Sequence, residues 1–382
     1  MRGLVKKGID AYLDFKSFKT KYPIVVIESD DWGSLRTKDI ATRDQLNKIS
    51  KAVENDAYTQ LDSIATQEDL ELLFEVLDSV KDRNGNPACL TANVCTANPD
   101  FQAIKDADFK QFYYKPFYET LEEYSNARSL FELWKEGNHK NVLEPQLHGR
   151  EHLHALAWLE ELKVGNKDLL RAFELETWGI PYKALRTQRR SNLQAALDYY
   201  DIDGEEKYHN QWIKDSVDIF EKAFGLKPKS FIPPAYTWHS KVHAHLKLQG
   251  IISVQGIKLQ YQPEHNTIIK YNRRPHYIGQ IDKQSQVIYA PRNAFFEPYS
   301  PDYTSISSSD WANRTLRDVD IALRQKKPAI IGSHRINFIG RLNPSNRDKN
   351  LKVFKTILQK IVKNYPNIRF MNSGELANLI AE

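Results

Sequence analysis

Cysteine is nearly absent: Cys89 and Cys95 are the only two among 382 residues. Two thiols six positions apart in an apolar run build no disulfide framework, and they read as packed core thiols. No apolar stretch of roughly 18 residues occurs, so no helix is expected to cross a membrane. Lys6 and Lys7 are not followed by the apolar run of a secretory signal, and the expected location is cytoplasmic. Neither a Gly-rich dinucleotide fingerprint nor a Walker A loop is present, so the common phosphate-cradling loops are excluded. The surplus of 54 Lys and Arg over 49 Asp and Glu gives a net charge of only +5. No basic run is interleaved with aromatics, and nucleic acid is not an expected partner.

Aromatic side chains are plentiful, with 17 Phe, 19 Tyr and 7 Trp. Such a chain can offset the entropy of ordering by burial, so extensive disorder is not expected. Residues 1–21 carry six Lys and Arg but only two Asp, with Leu4, Val5, Ile9, Tyr12, Leu13 and Phe15 between them. They read as an amphipathic helix. It either packs on its own domain or makes a peripheral contact with an anionic membrane. From residue 22 onward, apolar runs alternate with helical patterns. Pro23–Ser29 is a β-branched run of the kind found in fully buried parallel strands. Further strands are expected at 88–94, 142–147, 229–232, 251–254, 287–290, 329–332 and 368–371. Long helices are expected at 153–175, 205–225 and 350–364. Seven or eight such units favour a (β/α) barrel over an open sheet. The domain so defined is 22–382, with helical insertions near 101–140 and 153–205.

Polar residues gather where the expected strands end, which is where barrel sites lie. Ser29-Asp30-Asp31-Trp32-Gly33 places two carboxylates at the end of a buried strand, where they need a cation or hydrogen bonds. His148 and His152 are spaced i,i+4. On a helical turn that spacing puts both imidazoles on one face, and with Asp31 they make a two-His, one-carboxylate set suited to a catalytic Zn²⁺ or a similar divalent ion. Pro233-Pro234 stiffens the loop before Ala235 and Tyr236, so that a backbone N–H there can be aimed at a developing oxyanion. His334 ends an apolar strand and is placed to act as a general acid.

Taken in order, these segments resemble the polysaccharide deacetylase family, carbohydrate esterase family four, also called the NodB-homology domain. The Thr-Phe-Asp-Asp-Gly motif is matched by Ser29–Gly33 with Trp32 inserted. His-x-x-x-His is matched by His148 and His152, and the proline motif by Ile232-Pro233-Pro234. The final apolar strand ending in His is matched by Ile330–His334. The resemblance implies a distorted (β/α)7 barrel and metal-dependent hydrolysis of an N- or O-acyl group on a sugar or glycan precursor. It implies Asp31, His148 and His152 as metal ligands, with zinc expected first and cobalt, nickel or manganese as substitutes. It implies Asp30 as the general base and His334 as the acid, with Trp32, Ala235 and Tyr236 on the substrate side.

Two motif members are missing. The family's proline-motif Arg, partner of the base, is Ile232 here, and the Asp that orients the last His has no counterpart. Arg292, after the strand at 287–290, is the expected substitute for the first. The sequence leaves two further readings open: an inactive barrel that binds a glycan or partner, and a glycoside hydrolase on the same barrel.

Overall fold

The computed structural model of the protein describes residues 11–126, 128–181, 193–198, 202–264, 270–299 and 308–382. Seven parallel strands carry the fold: β1 (Ile24–Trp32), β2 (Leu90–Cys95), β3 (Leu143–Gly149), β4 (Ser230–Phe231), β5 (Ser253–Gly256), β6 (Ile288–Pro291) and β7 (Ala329–His334). Their pairing runs β6-β5-β4-β3-β2-β1-β7. The circle closes because the chain just beyond β6, at Ala294–Phe295, pairs in parallel with Ile331–Gly332 of β7. Asn293 reinforces the seam, with its N–H on the Ile330 carbonyl and its side chain on the Pro328 carbonyl. The result is a distorted (β/α)7 barrel. An eighth strand, β8 (Arg369–Met371), pairs with the start of β1 beneath β2.

Helices on the outside connect the strands. They include α1 (Gln67–Asp78), α2 (Leu130–His139), α3 (Ile202–Phe224), α4 (His243–Leu248), α5 (Ser308–Arg324) and α6 (Pro344–Asn364), and α7 (Ser373–Ala381) follows β8. Between β5 and β6 no helix was formed among the described residues; a hairpin of Leu259–Pro263 and Tyr271–Pro275 stands there instead. The expected insertion at 101–140 contains short helices, α2, and the strand Tyr114–Pro116, which forms a small hairpin with Ala97–Pro99 just before it. Of the expected helix over 1–21, residues 1–10 lie outside the described residues. The helical turn at 11–16 packs on the barrel through Leu13, and Asp14 pairs with Lys327 at 2.7 Å.

Strand alternation sorts the side chains. In β1, Val25 and Ile27 face outward into the core shared with the helices, while Ile24 and Val26 face inward with Ile330, Ala290 and Leu376. That inner cluster fills the barrel floor. Higher up, the inward positions turn polar: Glu28, Thr91, Asn93, Gln146, Ser230 and Gln255 are all buried. They satisfy one another across the interior. Asn93 and Gln255 exchange two amide bonds of 2.8 and 3.0 Å, Gln255 donates to Ser230 Oγ at 2.8 Å, and Ser230 Oγ donates to Gln146 at 3.0 Å. Buried polar groups of this kind are tolerated because each finds a partner.

Candidate active site

The mouth of the barrel gathers the strand-end carboxylates and imidazoles. Asp30 and Asp31 are neighbours, and plain alternation would send them to opposite faces of β1. The pairing of β1 with β2 breaks between Ser29 and Trp32, and Asp31 adopts a φ of 71°. This bulge re-aims Asp31, so both carboxylates face the mouth.

His148 and His152 do meet, with ring centroids 5.0 Å apart. The expected helical turn is not what brings them together. His148 ends strand β3, His152 lies in the following loop, and the chain reverses at Gly149 with a φ of +99°. A Cβ at Gly149 would lie 1.9 Å from Trp212, so only glycine fits there. Asp31, His148 and His152 each present a ligand atom within 4.8 Å of the others. His148 Nδ1 bonds the Ile232 carbonyl at 2.8 Å, which makes Nδ1 the donor and leaves the Nε2 lone pair free. That Nε2 lies 3.5 Å from Asp31 Oδ1, and His152 Nε2 lies 3.8 Å from it. Both separations are too long for good hydrogen bonds. Asp31 Oδ1 is buried without a hydrogen-bond partner. Burial without a donor is costly for a carboxylate oxygen, and a divalent cation between these three groups would satisfy all of them. The donor set fits zinc or a similar borderline ion.

Arg292 reaches Asp30. Its two Nη atoms donate to both Asp30 oxygens at 2.7 and 2.5 Å, and Nε donates to Glu28 Oε2 at 2.7 Å. All three residues are buried. Asn93 adds a bond of 2.8 Å to Asp30, and Ser373 Oγ donates to Glu28 at 2.8 Å. Burial pushes the Asp30 carboxyl up, but Arg292, with His334 and His148, brings it down to about 2. For Glu28 burial prevails over Arg292, and its carboxyl is raised. One guanidinium between two carboxylates thus favours the ionised form of Asp30. Arg292 crosses the interior over Gly332, where a Cβ would lie 2.3 Å from its Cδ.

His334 stands in register with Asp30, Nε2 to Oδ2 at 3.7 Å. Its Nδ1 bonds Glu297 Oε1 at 2.7 Å, and Asn337 donates to Glu297 Oε2 at 2.9 Å. Burial pushes the imidazole down, but Glu297, Asp30 and Asp31 raise it to about 9. Glu297 therefore occupies the orienting position for which no residue was expected. The signal was present: Glu297 ends the segment that closes the barrel beside β7, but only the pairing of Ala294–Phe295 makes that visible.

Two expected substrate-side residues stand differently from expectation: Trp32 faces away from the site, and Tyr236 turns its hydroxyl, not its N–H, toward it. Trp32 is 1% exposed, donates to Ser29 Oγ at 2.9 Å and packs edge-on against Trp134 in the core. An indole so large is retained by the apolar layer behind β1. The Tyr236 N–H is spent on the Pro233 carbonyl at 3.0 Å, within a turn in which Ala235 and Tyr236 both have a φ of 54°. Of the two backbone N–H groups expected to face an oxyanion, that of Tyr236 is therefore already taken. Tyr236 contributes its hydroxyl, 3.4 Å from Arg292 Nη1.

A second histidine group lies nearby: His154, Glu205 and His209. His154 caps the helix at Ala155–Lys163, its Nδ1 accepting the Ala157 N–H at 3.2 Å. Its protonated end is then Nε2, which lies 3.4 Å from Glu205 Oε2. Helix capping and a polar contact account for His154 without an ion.

Neither a family model nor a curated protein sequence matches the chain. Among solved structures, a 4-α-glucanotransferase from Thermococcus litoralis aligns over 94% of this chain and 40% of its own, at 10% identity and a TM-score of 0.46. The chain thus spans well under half of that protein. A candidate polysaccharide deacetylase from Mycobacterium smegmatis aligns over 95% of this chain and 93% of its own, at 9% identity and a TM-score of 0.45. A candidate glycoside hydrolase/deacetylase from Parabacteroides distasonis aligns over 95% and 72%, at 11% identity and a TM-score of 0.47. A Bacillus anthracis pseudoenzyme of carbohydrate esterase family four aligns over 94% and 66%, at 10% identity and a TM-score of 0.36.

Proposed function

We propose that the protein is a metal-dependent hydrolase that removes an acyl group from a sugar or glycan precursor. One arrangement carries this reading: Asp30, clamped by Arg292 and 3.7 Å from His334, stands next to the donor set Asp31–His148–His152. A base, an acid and a ligand set with one orphaned carboxylate oxygen are the parts that hydrolytic acyl transfer needs. The divalent ion, zinc by donor type, supplies the Lewis acidity that polarises an acyl carbonyl and makes water a better nucleophile.

The chain's own residues supply the rest. Asp30 accepts the proton of the attacking water, its oxygens held in place by Arg292 and Asn93. The Ala235 N–H supports the developing oxyanion from the stiff Pro233-Pro234 turn. His334, kept protonated by Glu297, gives its proton to the leaving amine or alkoxide. Acetylated amino sugars are the first substrates to assay. Acetate release that chelator abolishes and Asp30→Asn removes supports the reading. Reducing-sugar release without acetate would turn it toward glycoside hydrolysis. Glycan binding without turnover would turn it toward an inactive barrel.

A further inference from the structure

His148 and His152 are held in different ways. A ligating imidazole ordinarily donates its second N–H to a carbonyl, carboxylate or water, which fixes both tautomer and ring plane. His148 follows that rule through the Ile232 carbonyl. His152 does not: its Nδ1 is buried and has no hydrogen-bond partner among the described residues. Its ring lies instead against Trp178, centroids 6.2 Å apart and planes within 22° of parallel.

Trp178 is itself firmly held. It is 3% exposed, and its Nε1 donates to the Leu35 carbonyl at 2.7 Å. The Arg36 guanidinium sits 4.7 Å from the Trp178 ring and 4.6 Å from the Tyr58 ring. Arg36 is 2% exposed and is anchored by Asp62 at 3.3 Å, a carboxylate that also takes two bonds from Arg335. Gly179 backs it closely, since a Cβ there would lie 3.1 Å from Arg36 Nη1. Tyr58 in turn meets Tyr299 and His334 edge-on, at 5.3 and 5.8 Å. The contacts form one wall of the mouth, from His152 through Trp178, Arg36 and Tyr58 to His334.

We infer that Trp178 is a positioning residue for His152, doing by stacking what a hydrogen bond does for His148, and that Arg36 locks Trp178 in place. The inference rests on the metal-site reading of Asp31, His148 and His152. Its readout is zinc affinity of the full-length protein, measured by competition with a chromophoric chelator. His148→Ala serves as the control for the site itself. Trp178→Leu keeps apolar volume but removes the ring face, and zinc affinity should fall by about 10- to 100-fold. Trp178→Phe keeps a face and should recover most of the loss. In a double-mutant cycle with His152→Ala, the Trp178→Leu effect should vanish, because the group it acts through is gone. The Co²⁺-loaded protein should show the same pattern in its visible absorption. Unchanged zinc affinity in Trp178→Leu, or an equal loss with and without His152, overturns the inference. Zinc affinity untouched by His148→Ala overturns the site reading on which it stands.

Discussion

Asp30 and His334 face each other in register across the pairing of β1 with β7, Nε2 to Oδ2 at 3.7 Å. Each is supplied with a charged neighbour by the same stretch of chain, Arg292 for Asp30 and Glu297 for His334. A carboxylate pulled down to about 2 thus stands beside an imidazole raised to about 9. Both values leave the two groups ionised across the neutral range, the states that the proposed base and acid start from.

The first prediction concerns that imidazole. In metal-free protein, NMR titration should find His334 protonated until the pH passes about 9. Glu297→Gln removes the leading favourable cause and should lower that value. The folded-state value exceeds the ordinary 6.5, so the stabilisation is complete below that pH and is lost as pH rises through about 9. Glu297→Gln should therefore cost roughly 1–3 kcal/mol near pH 6 and much less near pH 10. Thermal melts at the two pH values check the sign. An equal loss at both would assign Glu297 a role in packing alone.

Removing Arg292 should be severe. Arg292→Ala leaves Asp30 and Glu28 buried without their shared cation, a change that typically costs about 3–5 kcal/mol. The Asp30 carboxyl should rise from about 2. Arg292→Lys restores charge but not the three-way fork, because an ammonium is a point donor. Chemical denaturation should place the lysine variant between the alanine variant and the parent. Acyl-release assays on the same proteins should follow that order.

The two adjacent aspartates should separate cleanly. Asp31→Asn should weaken zinc binding. Asp30→Asn should leave zinc content intact and reduce turnover by about 10²–10⁴-fold, the usual cost of losing a general base. Zinc analysis of both purified variants decides the matter, and equal loss of metal would reverse the assignment.

Gly332→Ala tests the crossing of Arg292 without touching a charge. The added Cβ would lie 2.3 Å from Arg292 Cδ. Overpacking of this kind costs about 1–3 kcal/mol. Turnover should fall while zinc affinity holds, because Asp31, His148 and His152 are not displaced.

Much of this architecture is legible in sequence, for definite reasons. Ile24–Ile27 is β-branched and buried on both sides, so the strand announces itself by composition. Arg292 could be nominated because the family resemblance calls for an Arg beside Asp30 and Ile232 stands in its place. The geometry of the histidines was not legible. An i,i+4 spacing suits a helical turn, and nothing in the spacing shows that the chain would instead reverse at Gly149 under Trp212. Trp32 misleads for a related reason: adjacency to Asp31 in the chain says nothing about direction once a bulge intervenes. Glu297 and Trp178 escape because each acts through a partner far away in sequence. The hairpin of Leu259–Pro263 and Tyr271–Pro275, standing where a helix would be usual, carries no helical period to betray its difference.

The seam at residues 288–296 has a mechanical meaning. The strand that closes the barrel is interrupted between Pro291 and Ala294, pairing with β5 on one side of the gap and with β7 on the other. Arg292 leaves from the interruption itself and Glu297 from just past the second half. Hoop continuity and the polarity of the mouth are therefore set by one short run of backbone. A cut, an inserted residue or a permuted terminus there would open the ring and, in the same event, separate both ionic partners from Asp30 and His334. Chain breaks tolerated in the outer connections would have no such double consequence.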